Sequence, residues 1–95
     1  MTASPAAERR ATIVNRKGLH ARASAKVANL AGEFDAKVFL KHETETADAR
    51  SIMDLLMLVA HTGCVVEIRG SGAQAAEAVD AIAALIEDGF GEEDK

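Results

Sequence analysis

The chain has 95 residues and a formal net charge of −4, with 48% hydrophobic and 27% charged residues. That length fits one domain with a modest core and excludes the deep substrate cavity of a large enzyme. Trp and Tyr are absent and the three Phe are scattered, which weakens a reading that depends on aromatic stacking of nucleic-acid bases, and Cys64, the single cysteine, excludes an internal disulfide framework. The charge is uneven: residues 1–42 carry eight Lys/Arg against three Asp/Glu (+5), and residues 43–95 carry three against twelve (−9). A basic first half suits a phosphate or an acidic protein surface, whereas the acidic second half argues against general nucleic-acid binding.

In chain order, residues 1–10 read as a flexible tail holding the only proline, Pro5. Ala11-Thr12-Ile13-Val14-Asn15 reads as a short strand, ended by Lys17-Gly18. The Ala-rich run 21–31, with Val27 and Leu30 on one stripe and Gly32 after it, predicts a helix. A strand over 35–41 places Val38 and Leu40 on one face and Phe39 on the other; 44–49 is a weaker strand. Ser51, with Asp54 three positions on, opens a second helix to about His61 in a near capping-box pattern. Cys64 to Arg69 is the clearest strand, and Gly70-Ser71-Gly72 reads as a turn. In a third helix over 73–88, Val79, Ile82, Ala83 and Ile86 fall at i, i+3, i+4 and i+7 and form one apolar face. The domain is expected over 11–90, with 91–95 as an acidic tail. No internal repeat or low-complexity linker interrupts it. The order β-α-β-β-α-β-α is that of an α+β sandwich with helices on one face of a sheet. No basic-then-apolar leader opens the sequence and the longest apolar stretch, 55–60, is too short to cross a bilayer, so no membrane insertion is expected and cytoplasm is the expected compartment.

Lys17-Gly18-Leu19-His20-Ala21-Arg22 is the segment best suited to chemistry. Gly18 permits an unusual backbone angle at the strand end. His20 then stands at the entry to the first helix, where free N–H groups and the positive end of the helix dipole favour a bound phosphate. Arg22 can make charge-assisted bonds to phosphate oxygens, and Arg16, Lys17 and Lys26 add positive field. A neutral imidazole is a good nucleophile near neutral pH. From spacing alone, a polar helix-entry histidine beside a solvated arginine is the better reading.

Gly18-Leu19-His20-Ala21-Arg22 resembles the active-site signature of the histidine-containing phosphocarrier protein family, HPr, of bacterial phosphotransferase systems. Ser51-Ile52-Met53 falls where that family has a second signature, a serine opening the second helix. Gly63 and the helix after Gly72 also match in order, and the resemblance covers residues 11–88. It implies an open-faced sandwich of four antiparallel strands with three helices on one side. It further implies that His20 accepts phosphate on Nδ1 from enzyme I, which draws it from phosphoenolpyruvate, that Arg22 steadies the phosphoryl group, and that the phosphate passes to a downstream EIIA-type phosphoacceptor. Ser51 is the serine that an HPr kinase/phosphorylase phosphorylates in some members, as a regulatory mark. Such a protein is a carrier rather than an enzyme, monomeric, and needs no cofactor. Most members have proline after the arginine; here Ala23 stands there, which leaves the helix intact but loosens the preset of its first turn.

The second helix is too apolar for one buried stripe. Leu55, Leu58 and Val59 are expected against the sheet; Ile52, Met53 and Leu56 then point toward the His20 side, as a docking patch together with Ala21 and Ala23. Ser51 is expected to cap its helix whatever else it does. His42 and His61 lack metal-ligand spacing, so no metal site is expected. Cys64 is expected to be a small buried hydrophobe. Two other roles fit the sequence: a mainly regulatory module of a nitrogen-related phosphotransfer chain, and, against the composition, a small nucleic-acid-binding domain.

Overall fold

The computed structural model describes residues 6–92. Four strands form one sheet: β1 (Ala6–Thr12), β2 (Lys37–His42), β3 (Glu45–Asp48) and β4 (Val65–Ser71). Their spatial order is β1-β4-β2-β3 and every neighbouring pair is antiparallel. Helices α1 (Ala21–Ala31), α2 (Ile52–Met57) and α3 (Ala75–Glu87) cover one face, and a 3₁₀ turn, Gly89–Gly91, follows α3.

Strand alternation decides which face they cover. Val38 and Leu40 of β2, Val66 and Ile68 of β4, Ala11 of β1 and Ala47 of β3 are buried toward the helices. The opposite face carries Glu8, Arg10, Lys41, Glu67 and Arg69 in register, with Phe39 half-exposed among them. Such a face is solvated by charge, as open antiparallel sheets commonly are. Helix α3 supplies Val79, Ile82, Ala83 and Ile86 to the core, all fully buried on the predicted stripe. It lies so close to β4 that a Cβ on Gly70 would stand 2.7 Å from the Val79 side chain. Each buried Leu, Ile or Phe contributes roughly 1.5–3 kcal/mol. Surface pairs such as Arg9–Asp80 (3.3 Å) and Arg69–Glu8 (3.2 Å) contribute at most about 1 kcal/mol each. The core therefore sets stability.

Several predicted bounds move. Residues 6–10, expected in a tail, belong to β1, because the full length of β4 supplies partners from Ala6↔Ser71 to Thr12↔Val65. Ala-Glu-Arg-Arg escapes recognition as a strand because one side faces water and Arg9 reaches across α3 toward Asp80 and Glu87. Residues 1–5 of that predicted tail lie outside the described residues. For the same pairing reason, Gly70 and Ser71 continue β4 rather than forming a turn. Helix α2 stops at Met57 instead of His61, since Val59 takes a left-handed backbone (φ 52°) and, against expectation, is 72% exposed. Helix α1 keeps its predicted bounds.

Candidate functional site

The segment between β1 and α1 turns sharply over a few hydrogen bonds. The Gly18 N–H donates to Asn15 C=O (3.2 Å) and the His20 N–H to Gly18 C=O (2.9 Å), while the buried Leu19 donates its N–H to Ala60 C=O (2.9 Å). Gly18 has φ +66°, and an added Cβ would meet Ala60 O at 2.7 Å and His61 Cα at 2.8 Å. Only glycine fits both the angle and the space. That tight turn delivers His20 in extended conformation (φ −79°, ψ −177°) as the N-cap of α1.

The His20 ring is held at both nitrogens. Nδ1 accepts the Arg22 backbone N–H (3.2 Å), so it satisfies one of the free amides that open a helix. A neutral imidazole with Nδ1 accepting carries its proton on Nε2. That edge faces Glu92 Oε2 in a short hydrogen bond, His20 and Glu92 side chains being 26% and 18% exposed. The buried Asn15 amide nitrogen donates to Glu92 Oε1 (3.0 Å) and to Gly18 C=O (2.8 Å), which ties the carboxylate to the glycine turn. The hydrogen bond from His20, then that from Asn15, hold the Glu92 carboxyl below the usual carboxylate range. Lys26 Nζ donates to Phe90 C=O (2.6 Å) and fastens the preceding turn.

An open cleft beside the ring is lined by Lys17, Ala21, Arg22, Lys26, Gly91 and Glu92. Three cations and a helix N-terminus around one imidazole suit an anionic group brought to Nδ1. Glu92 is a site residue that the sequence reading missed. It lies 72 positions from His20, in the segment read as an acidic tail, and no local signal marks it. Residues 93–95 of that segment are outside the described residues. Among the described residues, no three His, Cys, Asp or Glu side chains are grouped to hold a metal ion.

The other predicted residues are placed as follows. Ser51 caps α2, its Oγ accepting the Asp54 N–H (3.1 Å). The reciprocal half of the capping box differs: the Asp54 carboxylate accepts the Asp48 N–H (3.3 Å). Ala21 is exposed on the cleft, but Ala23 is 0% exposed, so its side chain packs in the core and is withdrawn from the docking patch. Ile52 and Met53 are exposed and Leu56 half-buried, while Leu55 and Leu58 face inward as expected. Exposed Met57 and Val59 enlarge the apolar surface beyond the residues predicted. Cys64 is only half-buried, with Sγ 3.7 Å from His61 Nδ1. Half-buried His42 turns Nδ1 to the Leu58 carbonyl (3.2 Å).

Residues 7–88 match the family model described as PTS HPr component phosphorylation site. The chain is 46% identical over 85 residues to a phosphocarrier protein HPr of Cupriavidus necator, covering 90% of this chain and 96% of that one. It is 45% identical over 85 residues to a phosphocarrier protein NPr of Shewanella violacea, covering 90% and 93%. The crystal structure of an HPr from Thermoanaerobacter tengcongensis superposes with a TM-score of 0.86 at 34% identity, over 92% of this chain and 98% of that chain. The chain belongs to the HPr family of phosphotransferase-system phosphocarriers. No helix among the described residues is long and apolar enough to cross a membrane.

Proposed function

We propose that the protein accepts a phosphoryl group from phospho-enzyme I on His20 Nδ1 and passes it to a downstream EIIA-type protein in the cytoplasm. The observation that carries this reading is the His20 ring at the start of α1, with Nδ1 turned to the Arg22 N–H and the cationic cleft. As phosphorus approaches, the Nδ1 lone pair forms the N–P bond and the donor's bond to phosphorus breaks. The 3.2 Å bond from Arg22 is long enough to be given up easily. Its N–H is then free for a phosphoryl oxygen, alongside the Arg22 guanidinium, while Lys17 and Lys26 supply charge at the rim. The protein is thus a carrier and a substrate of larger enzymes. Ala21, Ile52, Met53 and Leu56 form its docking surface, and it acts as a monomer.

Incubation with enzyme I and phosphoenolpyruvate is expected to add one acid-labile phosphate. Uptake of that label by His20→Ala would remove His20 from the role. Ser51 is the regulatory phosphorylation site of this reading: it is half-buried at the start of α2, where a phosphate is electrostatically tolerated. An HPr kinase/phosphorylase with ATP is expected to label the wild type and leave Ser51→Ala unlabelled.

A second reading, a mainly regulatory role in a nitrogen-related chain, draws on the nearly equal identity to proteins named HPr and NPr, 46% and 45%. A pull-down that recovers only regulators favours it; recovery of sugar-permease components favours the transport branch.

A further inference from the structure

We propose that Glu92 is a positioning residue that makes Nδ1 of His20, and not Nε2, the atom that takes the phosphate. This rests on the reading of His20 as the phosphoryl acceptor. An imidazole has two chemically similar nitrogens, and a phosphoryl donor free to choose reaches whichever is exposed. Here the two are unequal. Nε2 is covered by Glu92 Oε2, while Nδ1 makes only the 3.2 Å bond to the Arg22 N–H beside the open cleft.

The carboxylate is built into this place rather than resting there. Asn15, fully buried, donates one amide hydrogen to Glu92 Oε1 at 3.0 Å and the other to Gly18 C=O at 2.8 Å. Among the described residues the Asn15 Oδ1 atom has no hydrogen-bond partner, so those two donations are what orient its amide. On the other side, Phe90 is fully buried with a left-handed backbone (φ 60°), and its carbonyl takes the Lys26 ammonium at 2.6 Å. An anchored aromatic and a lysine clasp thus set the chain so that residue 92 arrives over Nε2. The same acceptor keeps the proton on Nε2 and leaves the Nδ1 lone pair for phosphorus. When the N–P bond forms and the donor's bond to phosphorus breaks, the ring gains positive charge. Nε2 keeps its hydrogen, and Glu92 Oε2 faces that charge at hydrogen-bond distance.

The test uses the full chain and potassium phosphoramidate, a small donor that needs no protein docking. It transfers its phosphoryl group to a ring nitrogen and releases ammonia. Two-dimensional ¹H–¹⁵N–³¹P spectra distinguish Nδ1 from Nε2 adducts. In the wild type the Nδ1 adduct is expected to dominate. In Glu92→Ala the Nε2 adduct is expected to become comparable, and the Nδ1 rate to fall by about tenfold as the ring loses its fixed orientation. Glu92→Gln keeps an acceptor oxygen and is expected to retain the Nδ1 preference. Circular dichroism of each variant guards against a folding artefact. Nδ1-only labelling of Glu92→Ala at the wild-type rate, or Nε2 labelling of the wild type, overturns the proposal. A wild type that labels on Nδ1 with phosphoramidate yet never accepts phosphate from enzyme I leaves the role of Glu92 standing and sinks the carrier reading instead.

Discussion

Helices α1 and α2 both open on a side chain that accepts a backbone N–H of the first turn. His20 Nδ1 takes the Arg22 N–H at 3.2 Å, and Ser51 Oγ takes the Asp54 N–H at 3.1 Å. Their surroundings differ. The start of α1 has no acidic residue in its first turn and is ringed by Lys17, Arg22 and Lys26. The start of α2 carries Asp54 in its first turn, tied to the Asp48 N–H. The His20 cap thus has cations about it and one carboxylate, Glu92, held on its Nε2 edge. The Ser51 cap has a carboxylate of its own first turn beside it and none of those lysines. One local motif therefore opens both helices, and the neighbouring charges set them apart.

The sharpest way to break the contrast is to disturb the turn that delivers His20. Gly18→Ala forces a side chain at φ +66° against two backbone atoms that cannot yield. It is expected to lose about 3 kcal/mol in urea unfolding and to slow phosphate uptake with it. Stability within about 0.5 kcal/mol of wild type would show that the turn is not rigid. Removing the other cap is gentler. Ser51→Ala is expected to lose about 1 kcal/mol while phosphate transfer to His20 keeps its wild-type rate. A slower transfer in that variant would mean that the two helix starts are coupled.

Acid sharpens the same distinction. The Glu92 carboxyl titrates below its usual value of 4.5, held there by His20 first and Asn15 second. A depressed carboxyl contributes stability above its unfolded value and loses it as pH falls through the folded value. The gap in unfolding free energy between wild type and Glu92→Gln is therefore expected to shrink as pH falls below 4.5. A gap that does not change on acidification would show that the His20–Glu92 contact adds nothing to stability in solution. The smallest change is expected from Ala23→Pro. The first backbone bond of α1 runs from the Ser24 N–H to His20 C=O (2.8 Å), so residue 23 precedes that ladder. Proline there is expected to shift Tm little, with under about 0.5 kcal/mol of stability change. Any gain in transfer rate would measure how loosely alanine leaves the His20–Arg22 pair.

Local signals in the chain carried far. Alternation in 37–42 and the i, i+3, i+4, i+7 stripe of α3 follow from which side chains avoid water, and both appear as read. Gly32 closes α1 at the predicted residue. His20 at the entry to α1 was visible in the sequence, whereas the bond its ring takes from the Arg22 backbone N–H was not, since the sequence pointed only to the Arg22 side chain. The polar start of β1 was not, because its identity as a strand comes from pairing with β4 some 60 positions away. The early end of α2 was hidden for a similar reason. Val59 adopts a left-handed angle that its side chain disfavours, and the next residue's carbonyl is held by the Leu19 N–H.

The sequence by itself thus determined a sheet half-covered by helices and a histidine at a phosphate-favouring helix start, because hydrophobic period and helix-terminus chemistry act over a few residues. Only the tertiary structure decided which edge of that histidine is covered. The core places Phe90, Phe90 and Lys26 fix the turn, and the turn sets Glu92 against a ring 72 residues away. No short-range rule links those positions; packing does.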